Sequence, residues 1–319
     1  MLKTKILKLL PYWLSVLLAL IGLQCLGLAL GRSNVPPQNL ASTSQPEVLG
    51  AFTDVRGQNS VSLIPPLIQK RPLHLVDNQL SAKSYLVYDL DSGEILAQKD
   101  SRQKLPIASL TKLLTALIAY EKLDLTSTLT IQPADIMRVQ PVLGLKQGDV
   151  VKVQDLLNAM LVGSCNDAAL TLANHVASQQ NADFVLLMNQ KAQSLGMSDS
   201  LFSNPLGFDL KQNYSTAADL KKLVDAVEHL SVFRSLSKLV SYNFVGSAGK
   251  VYQAKATNKL VAKYPDLEAV KTGYTETAQG AMISKLDING HQLILMVIGS
   301  QDREQDTLEL RQQLLASYN

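Results

Sequence analysis

Residues 84–98, SYLVYDLDSGEILAQ, hold two short apolar runs around Asp91-Ser92-Gly93, which predicts two strands joined in a hairpin. The period then changes. From Ser109 to about Leu239 apolar residues recur at helical spacing. In TAADLKKLVDAVEHL (216–230), Leu220, Leu223, Val224, Val227 and Leu230 share one face, and Thr216 with Asp219 resembles a capping box. Strand signals return in LVSYNFV and KVYQAKA on either side of GSAG, then in LEAVKTG, GAMISKLDI and HQLILMVIGS, the last two joined by Asn289-Gly290. An amphipathic helix follows from about Arg303 to Ser317, and no internal repeat is present. The expected fold is α/β of the α+β kind. The first hairpin joins the last strands in one antiparallel sheet, terminal helices flank it, and residues of about 109–239 form a mostly helical lobe inserted in the sheet lobe.

The pattern before residue 81 is different. Residues 11–30 are uncharged and long enough as a helix, at about 1.5 Å per residue, to cross the roughly 30 Å hydrocarbon core. Lys3, Lys5 and Lys8 precede them, so the positive-inside rule puts everything after Leu30 outside the cytoplasm. Residues 1–31 therefore read as a membrane anchor or as a cleaved signal segment, with Ala29 and Gly31 as small residues at a cleavage site. Residues 32–80 are rich in Pro, Ser, Asn and Gln and read as a linker, although VSLIPPLIQKRPLHLV within it is apolar enough to dock on the body. The folded domain is expected over 81–319.

Composition narrows the function. The 319 residues are 46% hydrophobic, enough for a substantial core. Lys and Arg number 30 against 27 acids, and the three lysines before residue 10 supply the whole excess. A balanced domain offers no phosphate-binding surface, so nucleic acid is not an expected partner. Cys25 and Cys165 lie in unrelated contexts and provide no disulfide framework. His74, His175, His229 and His291 lack metal-ligand spacing, so neither a metal nor a cofactor is expected.

One placement is odd. In PIASLTKLLTA, Lys112 lies in the first turn of an apolar helix, where the positive end of the helix dipole disfavours a cation by about 0.3–1 kcal/mol. Ser109 stands three residues earlier, so the two side chains share a face. A serine hydroxyl becomes a nucleophile when a base takes its proton, and an amine is a base only when neutral. The reference lysine pKa of about 10.4 must fall by roughly 3 units, and burial, a helix N-terminus and a second cation all lower it. The plain alternative is a serine cap with a solvated lysine. Ser-x-x-Lys occurs four times, at Ser101, Ser109, Ser235 and Ser247, but only Ser109 opens a long apolar helix.

Two further motifs follow in order. VGSCNDAAL places Ser164 and Asn166 where a helix should break, as a hydroxyl and a carboxamide in a loop. AVKTGYTETAQG places Lys271, Thr272 and Gly273 on a strand, where a cation and a hydroxyl can hold a carboxylate and the glycine lets another backbone approach. Each motif alone also fits a bland role, as a helix end and an exposed strand end.

The ordered set Ser-x-x-Lys, Ser-x-Asn, Lys-Thr-Gly marks penicillin-binding proteins and class A β-lactamases. From about Ala82 onward the chain resembles the low-molecular-mass penicillin-binding proteins, the serine D-alanyl-D-alanine carboxypeptidases of the peptidase S11 type. The segments GLKQGDVVKVQDLLNAMLVGSCNDAA, MNQKAQSLGM, FSNPLGFD, NYSTAADL and TNKL carry the likeness beyond the motifs. The resemblance implies a β-lactamase/D,D-peptidase-like fold, Ser109 as nucleophile, Lys112 as its base, and Ser164 and Asn166 assisting proton transfer and holding the peptide. It also implies Lys271 and Thr272 on the substrate carboxylate, and the N–H groups of Ser109 and Tyr274 as oxyanion hole. Substrate would lie along the Gly273 strand. The implied reaction removes terminal D-Ala from peptidoglycan stem peptides outside the cytoplasm, with β-lactams as covalent inhibitors. Cys165 stands where Gly is frequent, and Tyr274 and Leu206 where His is common. Arg303 is a candidate for added charge near the carboxylate.

Three rivals stand beside this reading: D,D-endopeptidase action on cross-links, a catalytically silent wall-binding homologue, and a β-lactamase. The last needs a Glu for deacylation. Between Asp167 and Val270 only Glu228 and Glu268 occur, and neither is expected to face the site: Glu228 falls on the polar side of its helix, and Glu268 alternates away from the face of Lys271.

Overall fold

The computed structural model describes residues 77–209 and 212–318. The anchor or signal segment and the linker up to residue 76 lie outside the described residues. No helix among the described residues is long and apolar enough to cross a membrane. Leu80, assigned to the linker by composition, is buried in a core.

The chain opens with β1 (Ser84–Asp89) and β2 (Ile95–Lys99). Helices α1 (Lys112–Lys122), α2 (Val153–Gly163), α3 (Asn166–Gln180), α4 (Phe184–Ser194), α5 (Ala217–Glu228) and α6 (Ser231–Leu236) follow. Among them sits a short hairpin of β3 (Thr128–Thr130) and β4 (Val150–Lys152), which the helical pattern did not anticipate. The chain continues with a further hairpin, β5 (Ser241–Val245) and β6 (Val251–Lys255), then β7 (Leu267–Thr275), β8 (Gln279–Ile288), β9 (His291–Ser300) and α7 (Arg303–Tyr318).

Five strands form one antiparallel sheet in the order β2-β1-β9-β8-β7, so the first hairpin joins the last strands as expected. Asn289 and Gly290 both take positive φ, 54° and 86°, the backbone a tight β8–β9 turn requires. The sheet is buried on both faces, which is why β1 and β9 read as unbroken apolar runs. On one face Leu86, Tyr88, Ile283, Ile294, Met296 and Ile298 pack against the helical lobe. On the other, Tyr85, Val87, Leu293, Leu295 and Val297 pack against Leu310 and Leu314 of α7.

Helix α1 is buried from Lys112 to Ala119, as a helix apolar all round must be. Helix α5 realises half of its expected capping box. The Thr216 hydroxyl accepts from the Asp219 N–H at 3.0 Å, but the Asp219 carboxylate turns away to the Asp199 N–H and the Ser200 hydroxyl. A bulge in β7, between Ala269 and Lys271, shifts its register against β8.

Candidate active site

The site is built where α1 begins against the edge strand β7. A single 3-10 turn, Ala108–Thr111, leads into α1 and carries Ser109. Ala108 has φ 45°, a left-handed conformation that costs a non-glycine residue of order 1–3 kcal/mol and needs outside support. Two glycines supply it by contact. A Cβ on Gly207 would come within 2.0 Å of the Ala108 carbonyl oxygen, and one on Gly273 within 3.0 Å of the Ala108 Cβ and of the Ser109 nitrogen. Glycine at 273 thus permits the close backbone approach expected of it, and Gly207 permits a second one.

Lys112 is fully buried while Ser109 stays partly exposed. The Lys112 Nζ lies 2.9 Å from the Ser109 Oγ and donates to the Leu206 carbonyl at 2.6 Å. That carbonyl is held by Asn204, whose Oδ1 accepts from the N–H groups of Leu206, Gly207 and Phe208. Burial drives the Lys112 pKa well below the ordinary lysine value, and the neighbouring Lys271 charge pushes the same way.

Lys271, also buried, donates to the Ser164 Oγ at 3.0 Å and to the Thr272 carbonyl at 3.1 Å. Burial, aided by the Arg303 charge, lowers its pKa to about 7. Ser164 caps α2 in a left-handed conformation, φ 57°. Glycine would adopt that conformation more readily, but only a side chain can present a hydroxyl there. Asn166 is not in a loop: it is the first residue of α3. Its Nδ2 donates to the carbonyls of Val139 and Gln140, while its Oδ1 is buried without a partner. The Thr272 hydroxyl donates to that of Thr257 at 2.6 Å, and Tyr274 is 66% exposed. Arg303 is the first residue of α7, and it donates to the Gly273 carbonyl at 2.6 Å. Cys165 is buried, and burial followed by the nearby Asp167 charge pushes its thiol up to about 12. Near neutral pH the thiol therefore carries no charge to offset the two lysines.

The structure therefore brings two amine–hydroxyl pairs together, Ser109 with Lys112 and Ser164 with Lys271, and aligns Gly273 beside the first. Sequence reasoning missed the Leu206 carbonyl, Gly207 and Thr257. Leu206 and Gly207 lie in NPLGF, read above only for its missing His; the turn-forming Asn-Pro and Gly pair was the available signal.

The two glutamates are not where the sequence pattern put them. Glu228 is buried and accepts from the Lys285 ammonium at 2.9 Å, because α5 packs that flank against the sheet. Glu268 pairs with Lys285 at 3.0 Å. The bulge at Val270 breaks simple alternation, so Glu268 opposite Lys285 and Lys271 opposite Ile283 lie on the same face of the sheet. Glu268 also accepts from the Ser237 hydroxyl and pairs with Lys238, so both acids are engaged with other groups. No cluster of three or more His, Cys, Asp or Glu suited to a metal occurs among the described residues.

The fold is that of the penicillin-binding proteins and D,D-peptidases. The D,D-transpeptidase of Streptomyces K15 superposes with a TM-score of 0.68 at 25% identity, over 75% of this chain and 97% of that one. Penicillin-binding protein D2 of Listeria monocytogenes, solved in its cefotaxime-bound form, gives 0.64 at 27% identity, over 75% of this chain and 98% of the other. Within that class the chain belongs to the peptidase S11 family, D-alanyl-D-alanine carboxypeptidase, whose profile matches residues 70–302. It is 33% identical to a D-alanyl-D-alanine carboxypeptidase of Mycobacterium tuberculosis, over 68% of this chain and 74% of the relative. A D-alanyl-D-alanine endopeptidase of Pseudomonas aeruginosa is 30% identical over 77% of this chain and 79% of its own. The matching region spans 57% of the length of the Bacillus subtilis carboxypeptidase it also resembles.

Proposed function

We propose that the protein is a serine-type D-alanyl-D-alanine carboxypeptidase acting on peptidoglycan stem peptides. The observation that carries this reading is the dry amine of Lys112, 2.9 Å from the Ser109 hydroxyl and without a carboxylate partner.

Neutral Lys112 keeps one N–H on the Leu206 carbonyl and turns its lone pair to the Ser109 hydroxyl. It takes that proton as the Ser109 Oγ bonds to the carbonyl carbon of the D-Ala-D-Ala amide. The N–H groups of Ser109 and Tyr274 stabilise the oxyanion, each donor worth about 3–4 kcal/mol. Collapse breaks the C–N bond, and a proton passed through Ser164 leaves with the amine of D-Ala. Water then attacks the acyl-serine and gives a proton to Lys112, which returns it to the Ser109 Oγ as the acyl–oxygen bond breaks, releasing the shortened peptide and restoring Ser109 and the neutral amine. Asn166 holds the peptide; its unpartnered Oδ1 has capacity for one more donor. Lys271 and Thr272 receive the terminal carboxylate, and the peptide adds as a strand along the free edge of β7, with Gly273 admitting the nucleophile turn.

Penicillins acylate Ser109 and persist. A rapid β-lactamase lacks support, since Glu228 and Glu268 are both tied to Lys285. Residues 11–30 anchor the enzyme, or direct its export, so that it works outside the cytoplasm. A fluorescent penicillin should label the parent and not Ser109→Ala, and the parent should release D-Ala from a pentapeptide. An unlabelled parent would favour a silent wall-binding homologue, and fast turnover of a chromogenic cephalosporin a β-lactamase.

A further inference from the structure

The turn formed by residues 203–208 touches no substrate in the mechanism above, yet its backbone docks along the helix that carries the base. The Leu206 carbonyl accepts from Lys112 at 2.6 Å, and the Pro205 carbonyl accepts from the Thr115 hydroxyl at 2.8 Å. Gly207 lies against Ala108, where a Cβ would strike the carbonyl. Ala108, Lys112 and Thr115 are spaced four and three residues apart, so the turn covers a single face that runs from the nucleophile turn into α1.

One side chain holds this turn in shape. Asn204 is buried, and its Oδ1 accepts from the N–H groups of Leu206, Gly207 and Phe208 at 3.1, 2.8 and 3.0 Å. Its Nδ2 donates to the Phe208 carbonyl at 2.9 Å and to the Ser203 hydroxyl at 3.3 Å. The donors and the acceptor of the carboxamide are thus all used inside the turn, and none is left for a ligand. An aspartate could gather the same three N–H groups, since both residues favour such turns. It would also place a negative charge two residues from the carbonyl that Lys112 donates to, and a negative charge nearby favours the ammonium. The charged neighbour of Lys112 is instead Lys271, with the Cys165 thiol neutral near pH 7. An amide shapes the turn and leaves that balance alone.

We propose that Asn204 is a positioning residue for the acyl transfer: it fixes the Leu206 carbonyl, which takes one hydrogen of the Lys112 amine and leaves the lone pair aimed at the Ser109 hydroxyl. The inference rests on the hydrolase reading and adds to it a residue outside the three motifs. A lysine amine rotates freely about its last C–N bond, and the carbonyl selects the one rotamer in which it serves as a base.

The test measures acylation by a fluorescent penicillin, as limiting rate and half-saturating concentration per labelled molecule, across the neutral to alkaline range. It uses the whole protein and its Asn204→Ala and Asn204→Asp variants. Asn204→Ala should lower the limiting rate about tenfold at every pH, within the roughly 10²-fold that a misplacement of about 1 Å costs, and leave half-saturation unchanged. Asn204→Asp keeps the acceptor, so its limiting rate should return to the parent's at high pH, with the acidic limb of the profile displaced upward by about one unit. A merely structural role would lower the labelled fraction and leave both the rate per labelled molecule and the limb in place. That result, or an Asn204→Asp profile that coincides with the parent's or never recovers, overturns the proposal. Where Asn204→Ala does not fold, Asn204→Asp decides alone. Labelling and D-Ala release by the parent in the same runs separate that failure from failure of the hydrolase reading itself.

Discussion

Three lysines are buried among the described residues, and they fall into two environments. Lys285 lies between Glu228 at 2.9 Å and Glu268 at 3.0 Å. Burial alone would depress its pKa, but the two carboxylates outweigh it and the pKa is raised. Lys112 and Lys271 have hydroxyl and carbonyl partners and no acid, so burial prevails and both are lowered. The same side chain is held as a cation in one place and pushed toward the neutral amine in the other. What separates them is whether a carboxylate is buried with the amine.

The largest expected consequence is catalytic. Replacing Lys112 by Met removes the base while keeping an apolar fill, and the rate of Ser109 acylation by a penicillin should fall by about 10²–10⁴. A rate within threefold of the parent would mean that another group takes the proton. The second contrast is one of stability. Lys285→Met strands the Glu228 carboxylate and takes one partner from Glu268, and breaking a buried pair costs about 3–5 kcal/mol in denaturant unfolding. Acylation per folded molecule should be unchanged, and a matching loss of acylation would dissolve the distinction between the two environments.

The smallest effect is a pH dependence. Lys271 has a folded pKa of about 7 against an unfolded value near 10.4. Between those values the unfolded chain holds the extra proton, so parent stability rises with pH. Lys271→Met, which lacks this group, should therefore gain most over the parent at pH 7 and below. The gain should shrink by up to about 1.4 kcal/mol per pH unit and vanish near pH 10.5. A gain constant from pH 7 to 10 would show that Lys271 is charged in the fold.

Much of this contrast was legible in the sequence because local pattern and local chemistry agreed. The period changes near residues 109 and 239 separated helices from strands, and Asn289-Gly290 announced its turn. A lysine three residues after a serine at the head of an apolar helix pointed to a displaced pKa. What escaped depended on partners far along the chain. The Leu206 carbonyl lies 94 residues from the amine it accepts from. Glu228 seemed polar because helical periodicity cannot show that Lys285, 57 residues later, waits inside. Glu268 was put on the wrong face because one inserted residue at the bulge reverses every alternation beyond it. Gly207 was invisible for a simpler reason: its value lies in an absent Cβ beside Ala108, a contact that only the assembled fold defines.

The charge of Lys112 can be read directly. With lysines labelled at ¹³Cε and the signal assigned by Lys112→Arg, an NMR titration should find Lys112 in the position of a free amine at pH 7.5, titrating well below the roughly 10.4 of an exposed lysine. A resonance that stays at the ammonium position until near pH 10 would contradict the account, because Ser109 would then have no base beside it.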